Sequence, residues 1–410
     1  MTDESVLAWI SNNREHIRTP LYLYTDAGLR LAAQRLATLV PPGTHLFYSL
    51  KANPQPGVVE RFAALGIRPE VASTGERRMC ALAGVRPRDI VVGGVSKSVA
   101  SFAEVCESGC HCIVIDSVAE WVRLKCVMRD HPAPAVLLRI APGVALGGLD
   151  MAGASQFGLS EDQAVEVAQD CAATGARFLG LHFYFGSQRL NPEPIVETVR
   201  IAAERVITLR KRGLPIRVVD VGLGCGVRCF EKDPELDYES LAGLLREQWQ
   251  RPAWQGIELW SEAGRALVAS CGYFVARVTE TKNLHRKSFA FLDGGLNAHN
   301  PGIGLGRLFR SNPRFRFIAG SSGGLTPVDL VGNLCTSADC IGQDVAAPPL
   351  AAGDLVVIPD SGAYTQTTAM WGFNSQPGFS EAILERDGTL TPLVAQYQAW
   401  LQAAAPGNYA

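Results

Sequence analysis

The chain is 410 residues long, 47% hydrophobic and 19% charged, with a formal net charge of −2. That length allows a large core and two domains, and the near-neutral balance leaves no basic footprint for nucleic acid. No apolar run approaches the roughly 20 residues needed to cross a bilayer, so no membrane partner is expected.

The first segment, "MTDESVLAWISNNREHIRT", lacks the basic start and apolar stretch of a signal peptide, so a cytoplasmic location is expected by default. "TPLYLYTD" (19–26) follows as a strand. Apolar, β-branched runs then alternate with helix-length segments. They read "LFYSLKA" (46–52), "PEVAS" (69–73), "IVVGG" (90–94), "CIVIDS" (112–117) and "AVLLRIA" (135–141), then "GLHFYFGS" (180–187), "RVVDVGLG" (217–224) and "GIELWSEAG" (256–264). Eight repeats of strand and helix are the pattern of a (β/α)8 TIM-like barrel; a doubly wound open sheet would not require that count. After about residue 272 the rhythm changes. "YFVARVTETKN", "SFAFLDGG", "RFRFIAG", "DLVGNLC" and "DLVVIPDSGAY" leave little room for helices and read as a second, mainly antiparallel β domain. The expected division is a barrel over 27–272 and a β domain from 1–26 and 273–410.

Eleven cysteines, an odd number, argue against a fully paired disulfide framework, and thiols are expected. Cys106, Cys110, His111 and Cys112 have the residue types of a metal site. Strand alternation, however, sends Cys110 and Cys112 to one side and His111 to the other, so a structural role is expected and no metal.

Barrels of this kind work at the C-terminal ends of their strands. Those ends carry Lys51, Ser73, Arg139, Ser187, Gly222, Gly224, Gly226, Glu262 and Arg265. Lys51 is either a solvated surface lysine or an amine whose pocket makes it a nucleophile for an aldehyde. "DVGLGCGV" (220–227) is a glycine turn that suits an anion, although its spacing is not the dinucleotide fingerprint. "EAGR" (262–265) adds a carboxylate, a glycine turn at Gly264 and a cation after the eighth strand, next to where barrels often bind phosphate. A lysine, a phosphate cradle and a carboxylate together suit pyridoxal 5'-phosphate, the carboxylate keeping its pyridine nitrogen protonated.

"FYSLKANP", "LYLYTD", "EVASTGE", "LLRIAPG", "GLHFYFGSQ", "DVGLGCG", "SEAGR", "GNLCTSAD" and "GAYT" occur in an order that resembles the fold-type III pyridoxal-phosphate decarboxylases. This family is similar in fold to alanine racemase and includes the diaminopimelate and ornithine decarboxylases. The resemblance implies that Lys51 is the Schiff-base lysine and Glu262 the pyridinium partner, with Gly264 and Arg265 in the same phosphate-side motif. It also implies phosphate contacts at Ser187, Gly224, Gly226 and Tyr364, and an arginine near the cofactor at Arg139. Cys335 matches a cysteine that reaches the neighbouring subunit's site and helps protonate the product, which implies a head-to-tail homodimer with shared sites.

The departures are informative. Tyr184 stands where the family usually stacks a histidine on the cofactor ring; His182 beside it is expected to be structural. Leu223 replaces a glycine of the phosphate loop and Ala263 a proline. Thr336 follows Cys335, where decarboxylases of free ornithine, lysine or diaminopimelate place an acid aimed at the distal amine; Asp339 remains as a substrate-binding candidate. The R-x-x-L-Y segment of diaminopimelate enzymes gives way to "DGGLNAHNPGIG". The forms C-T-x-x-D and DGG-x-x-x-H resemble relatives in siderophore and antibiotic pathways. The expectation is therefore removal of the α-carboxylate from a citrate-linked or carrier-protein-linked amino acid. The alternatives are a decarboxylase of free diaminopimelate, ornithine or lysine, a racemase, and a non-catalytic binding protein. Glu262 argues against the racemase, which would place arginine at the pyridine nitrogen.

Overall fold

Every second residue of a strand faces the same side, and here that period fills the inside of a cylinder. In this computed structural model, eight parallel strands close into a barrel: His45–Ser49, Arg68–Val71, Val91–Val92, Cys112–Ile115, Ala135–Arg139, Arg177–Tyr184, Val218–Gly222 and Glu258–Ala263. Closure comes from the last strand pairing with the first, Glu262 in register with Phe47. The structure describes residues 2–141, 143–144, 146, 149–150, 156–300, 311–394 and 398. Phe47, Val91, Cys112, Val114, Ala135, Leu137, Val218 and Trp260 form one buried cluster inside the barrel. Helices return the chain between strands, and serines start several of them. Ser73, Ser98, Ser117 and Ser160 each accept the backbone N–H three residues on, which satisfies a donor the first turn leaves open. Ser73, expected at the rim, is thus a helix cap.

A second compact unit contains a nine-stranded sheet. Its strand Leu21–Thr25 pairs antiparallel with Gly272–Leu284 and parallel with Ser380–Leu384. Most of the other pairings are antiparallel. One face buries Val6 and Ile10 of helix Asp3–Asn12 against Leu21, Leu23, Val275, Leu355 and Val357. Residues 227–235, read from sequence as part of the barrel, belong to this unit, where Phe230 bridges to Pro313. Among the described residues, no helix is long and apolar enough to cross a membrane.

Candidate active site

Beyond the apolar layer, the inward face of the barrel turns polar while keeping its period. Ser49 and Lys51 succeed Phe47; Asp116 succeeds Val114; Arg139 succeeds Leu137; Asp220 succeeds Val218; Glu262 succeeds Trp260. The pairing sets Arg139, His182 and Asp220 at one level on three adjacent strands. Barrel closure therefore collects charges that the sequence scatters.

Glu262 and His182 are both buried, with His182 Nε2 at 3.3 Å from Glu262 Oε2. Among the described residues, Glu262 Oε1 and His182 Nδ1 have no hydrogen-bond partner. Burial opposes ionisation of Glu262, but the His182 imidazole and the Lys51 ammonium outweigh it and hold the carboxyl down to about 2. Neighbouring carboxyls go the other way. Burial, with Glu262 alongside, pushes both Glu70 and Asp220 up. Of the three acids only Glu262 is shifted down, a divergence expected where like charges share a dry site.

Lys51 lies in the short turn Leu50–Ala52, its Nζ 5.1 Å from the centre of the Tyr184 ring. Lys51 is exposed in the single chain. Gly264 permits a close approach here: a Cβ would lie 3.0 Å from that of Ala52 and 3.3 Å from the Ser49 carbonyl oxygen. The EAGR turn therefore packs directly on the lysine turn, with Arg265 buried. Arg139 donates to Asp116 across 3.0 Å, and its guanidinium lies 4.4 Å from the Phe157 ring centre and 5.9 Å from that of Tyr184. The Tyr184 face thus meets two cations, a favourable arrangement for an aromatic ring.

The glycine turn is shaped by backbone contact. Gly224 has φ +71°, and a Cβ there would lie 2.2 Å from the Gly186 carbonyl oxygen. Arg189 N–H donates to the Gly224 carbonyl, and Gly226 N–H to the Arg189 carbonyl, at 3.2 and 2.8 Å. Half-buried Ser187 precedes that pairing. Leu223 is buried, so the side chain at the expected glycine position is absorbed by the core while Gly224 keeps the turn.

In the second unit, Cys335 is exposed and its N–H donates to Asn374 Oδ1 at 2.8 Å. Half-buried Thr336 accepts the Ala338 N–H. Asp339, the expected substrate-binding acid, is buried, and its two carboxylate oxygens accept the Leu296 and Leu334 N–H groups at 2.7 and 2.8 Å, so it staples two loops. Tyr364 has φ +66°, and its carbonyl accepts the Thr367 and Thr368 hydroxyls. His299, the last residue of DGG-x-x-x-H, is buried, with Nδ1 3.0 Å from the Tyr22 hydroxyl. The final residues of "DGGLNAHNPGIG", 301–304, lie outside the described residues.

Sequence reasoning missed Asp220 and Glu70 and gave His182 no part in the site. The signal was available: an acid inside an otherwise apolar barrel strand, as in "RVVDVG" and "PEVAS", needs a partner. Donor atoms of His182, Asp220 and Glu262 lie within 4.8 Å of one another, a spacing that could also suit a metal. His111 and Cys112, by contrast, are used in packing: the imidazole stacks on Trp260 and the thiol sits in the barrel core.

The comparisons agree with this geometry. Residues 28–269 match the model of the pyridoxal-dependent decarboxylase pyridoxal-binding domain. The L-glutamyl-[BtrI acyl-carrier protein] decarboxylase of Niallia circulans is 29% identical over 92% of this chain and 90% of its own length. The 2-[(L-alanin-3-ylcarbamoyl)methyl]-2-hydroxybutanedioate decarboxylase of Staphylococcus aureus is 27% identical over 87% of this chain and 92% of its own. Among solved structures, diaminopimelate decarboxylase from Helicobacter pylori complexed with L-lysine superposes with a TM-score of 0.82 at 25% identity, covering 98% of this chain and 99% of that one. The chain therefore belongs to the pyridoxal-dependent decarboxylase family, as a carboxy-lyase that uses pyridoxal 5'-phosphate.

Proposed function

We propose that this enzyme removes the α-carboxylate of an amino acid presented as a conjugate, joined to citrate or to a carrier protein, in a siderophore or related natural-product pathway. One observation carries this reading. The residue after Cys335 is a neutral threonine, and Asp339 spends both oxygens on backbone N–H groups. No carboxylate on that loop is open to the ammonium of a free dibasic amino acid, which would call for a charge-assisted partner. The carrier-linked substrate named for the Niallia relative, and the conjugated one named for the Staphylococcus relative, lend support.

The barrel mouth fits the cofactor on observed features. Among the described residues Glu262 has a buried oxygen without a hydrogen-bond partner, suited to a ring N–H; Gly224 takes a left-handed turn that a side chain could not; Lys51 stands over Tyr184. Pyridoxal phosphate, when bound, supplies an amine-condensing carbonyl and an electron-withdrawing ring. Lys51 would hold the carbonyl end and Glu262 the ring nitrogen, fixed by His182. Ser187, Gly224, Gly226, Gly264 and Arg265 would hold the phosphate. Tyr184 offers its face to the ring, and Arg139, kept in place by Asp116, lines the same mouth. Cys335, exposed in the single chain, is proposed to serve the site of a second copy in a homodimer and to return a proton to the substrate's Cα.

A second reading, a decarboxylase of free diaminopimelate or lysine, draws on the likeness to the lysine-bound Helicobacter structure. Release of CO2 from free, citryl-linked and carrier-linked amino acids separates the two. Faster turnover of conjugates is expected; a preference for free dibasic amino acids would reverse the assignment.

A further inference from the structure

Asp220 is fully buried in the barrel mouth, and the reading above leaves it without a task. Among the described residues neither carboxyl oxygen has a hydrogen-bond partner, yet an oxygen lies within 4.8 Å of ligand atoms of both Glu262 and His182. The titratable groups that face it are the carboxyls of Glu262 and Glu70, the His182 imidazole and the Cys112 thiol. Cations are short here. Lys51 and His182 act on Glu262, whereas the charges that act most strongly on Asp220 are the carboxyls of Glu262 and Glu70. A carboxylate stripped of water and partners costs several kcal/mol, and a second negative charge beside Glu262 raises that cost.

We propose that Asp220 is a positioning residue: as the neutral acid it donates a hydrogen bond to the Glu262 carboxylate and, together with His182, fixes the orientation Glu262 presents to the cofactor ring. Burial and the neighbouring Glu262 both push the Asp220 carboxyl up, which supports the protonated form. The proton stays on Asp220 and no bond is made or broken. Its service is orientation: two donors of different kind hold one carboxylate, and a single donor would leave it free to rotate. The inference rests on reading Glu262 as the group that faces the ring, and it is independent of the substrate.

The test compares D220N, D220L and E262Q. Infrared difference spectra of the cofactor-free protein at neutral pH, wild type minus D220N, should show the carbonyl stretch of a protonated carboxylic acid that shifts in D2O. Asparagine keeps a donor, so D220N should bind pyridoxal phosphate within about threefold of wild type, whereas D220L should bind at least tenfold more weakly at unchanged circular dichroism. Absence of the acid band overturns the proposal, as does tight binding by folded D220L. If D220L fails to fold, the infrared result on D220N still decides. E262Q separates the two layers of the argument. Unchanged cofactor affinity and absorbance in E262Q would sink the reading of Glu262 itself, while weakening in E262Q without weakening in D220L would sink only the role of Asp220.

Discussion

The imidazole of His182 holds Glu262 Oε2 at 3.3 Å from Nε2, and this contact links two strands on opposite sides of one neighbour. A hydrogen bond to a charged group is worth about 1.5–3 kcal/mol. H182L should therefore lower kcat/KM about 10- to 100-fold at neutral pH. The sign with pH also follows. Glu262, held down to about 2, contributes stability that is present above its unfolded value of about 4.3 and is lost as pH falls through about 2. Without His182 the carboxyl rises toward ordinary values, so the acid limb of activity and the acid unfolding midpoint should both move to higher pH. An unmoved acid limb would refute the contact's importance.

Gly224 makes a prediction about shape. G224A must place a methyl in left-handed backbone, against the Gly186 carbonyl oxygen. The conformational cost alone is about 1–2 kcal/mol, and the clash adds to it. A lower melting temperature and at least tenfold weaker binding of pyridoxal phosphate are expected by calorimetry. Wild-type affinity in G224A would show that this turn does not hold the phosphate.

The proposed homodimer with shared sites makes a prediction that can be counted. K51A and C335A should each be nearly inactive as homodimers, and borohydride should fix cofactor mass on wild type but not on K51A. Mixing the two variants under exchange should restore about a quarter of wild-type activity, because half the dimers are mixed and each carries one intact site. No recovery on mixing, with exchange verified by mass, would mean that Cys335 does not serve a second copy.

Specificity should respond to one residue. T336D restores the acid that Thr336 replaces and should raise kcat/KM on free lysine or diaminopimelate on the order of tenfold, as a charge-assisted pair forms. If T336D lowers turnover of every substrate alike, position 336 does not read the distal amine.

Asp360 offers a stability test in the second unit. Burial pushes its carboxyl up to about 6 despite Arg314 at 3.5 Å. A raised carboxyl contributes stability fully present below its unfolded value of about 3.9 and lost as pH rises through about 6. D360N does not titrate, and asparagine tolerates the residue's φ of +56°. The variant should gain on wild type between about pH 4 and pH 6, by up to about 3 kcal/mol, read as the difference in melting temperature. A flat difference would contradict the shift.

Much of the architecture could be read in advance because barrel strands are apolar and short and recur with room for a helix between them, so counting them is enough. Lys51, Glu262 and Gly224 drew attention because each stands in a local motif. Asp220 and Glu70 left only the trace of an acid in an apolar strand, and His182 less, since each acquires meaning from a partner on another strand, and strand pairing is what brings Asp220 beside His182. The stapling by Asp339 was hidden for a related reason: one of the two N–H groups its carboxylate accepts belongs to a different stretch of chain, the other to its own loop.

That bridging carboxylate has a practical consequence for engineering. Because Asp339 anchors the turn at Leu296 and the turn at Leu334 together, neither can be exchanged alone without stranding a charge. Grafts from relatives with other preferences should move both segments as one cassette, together with the aspartate.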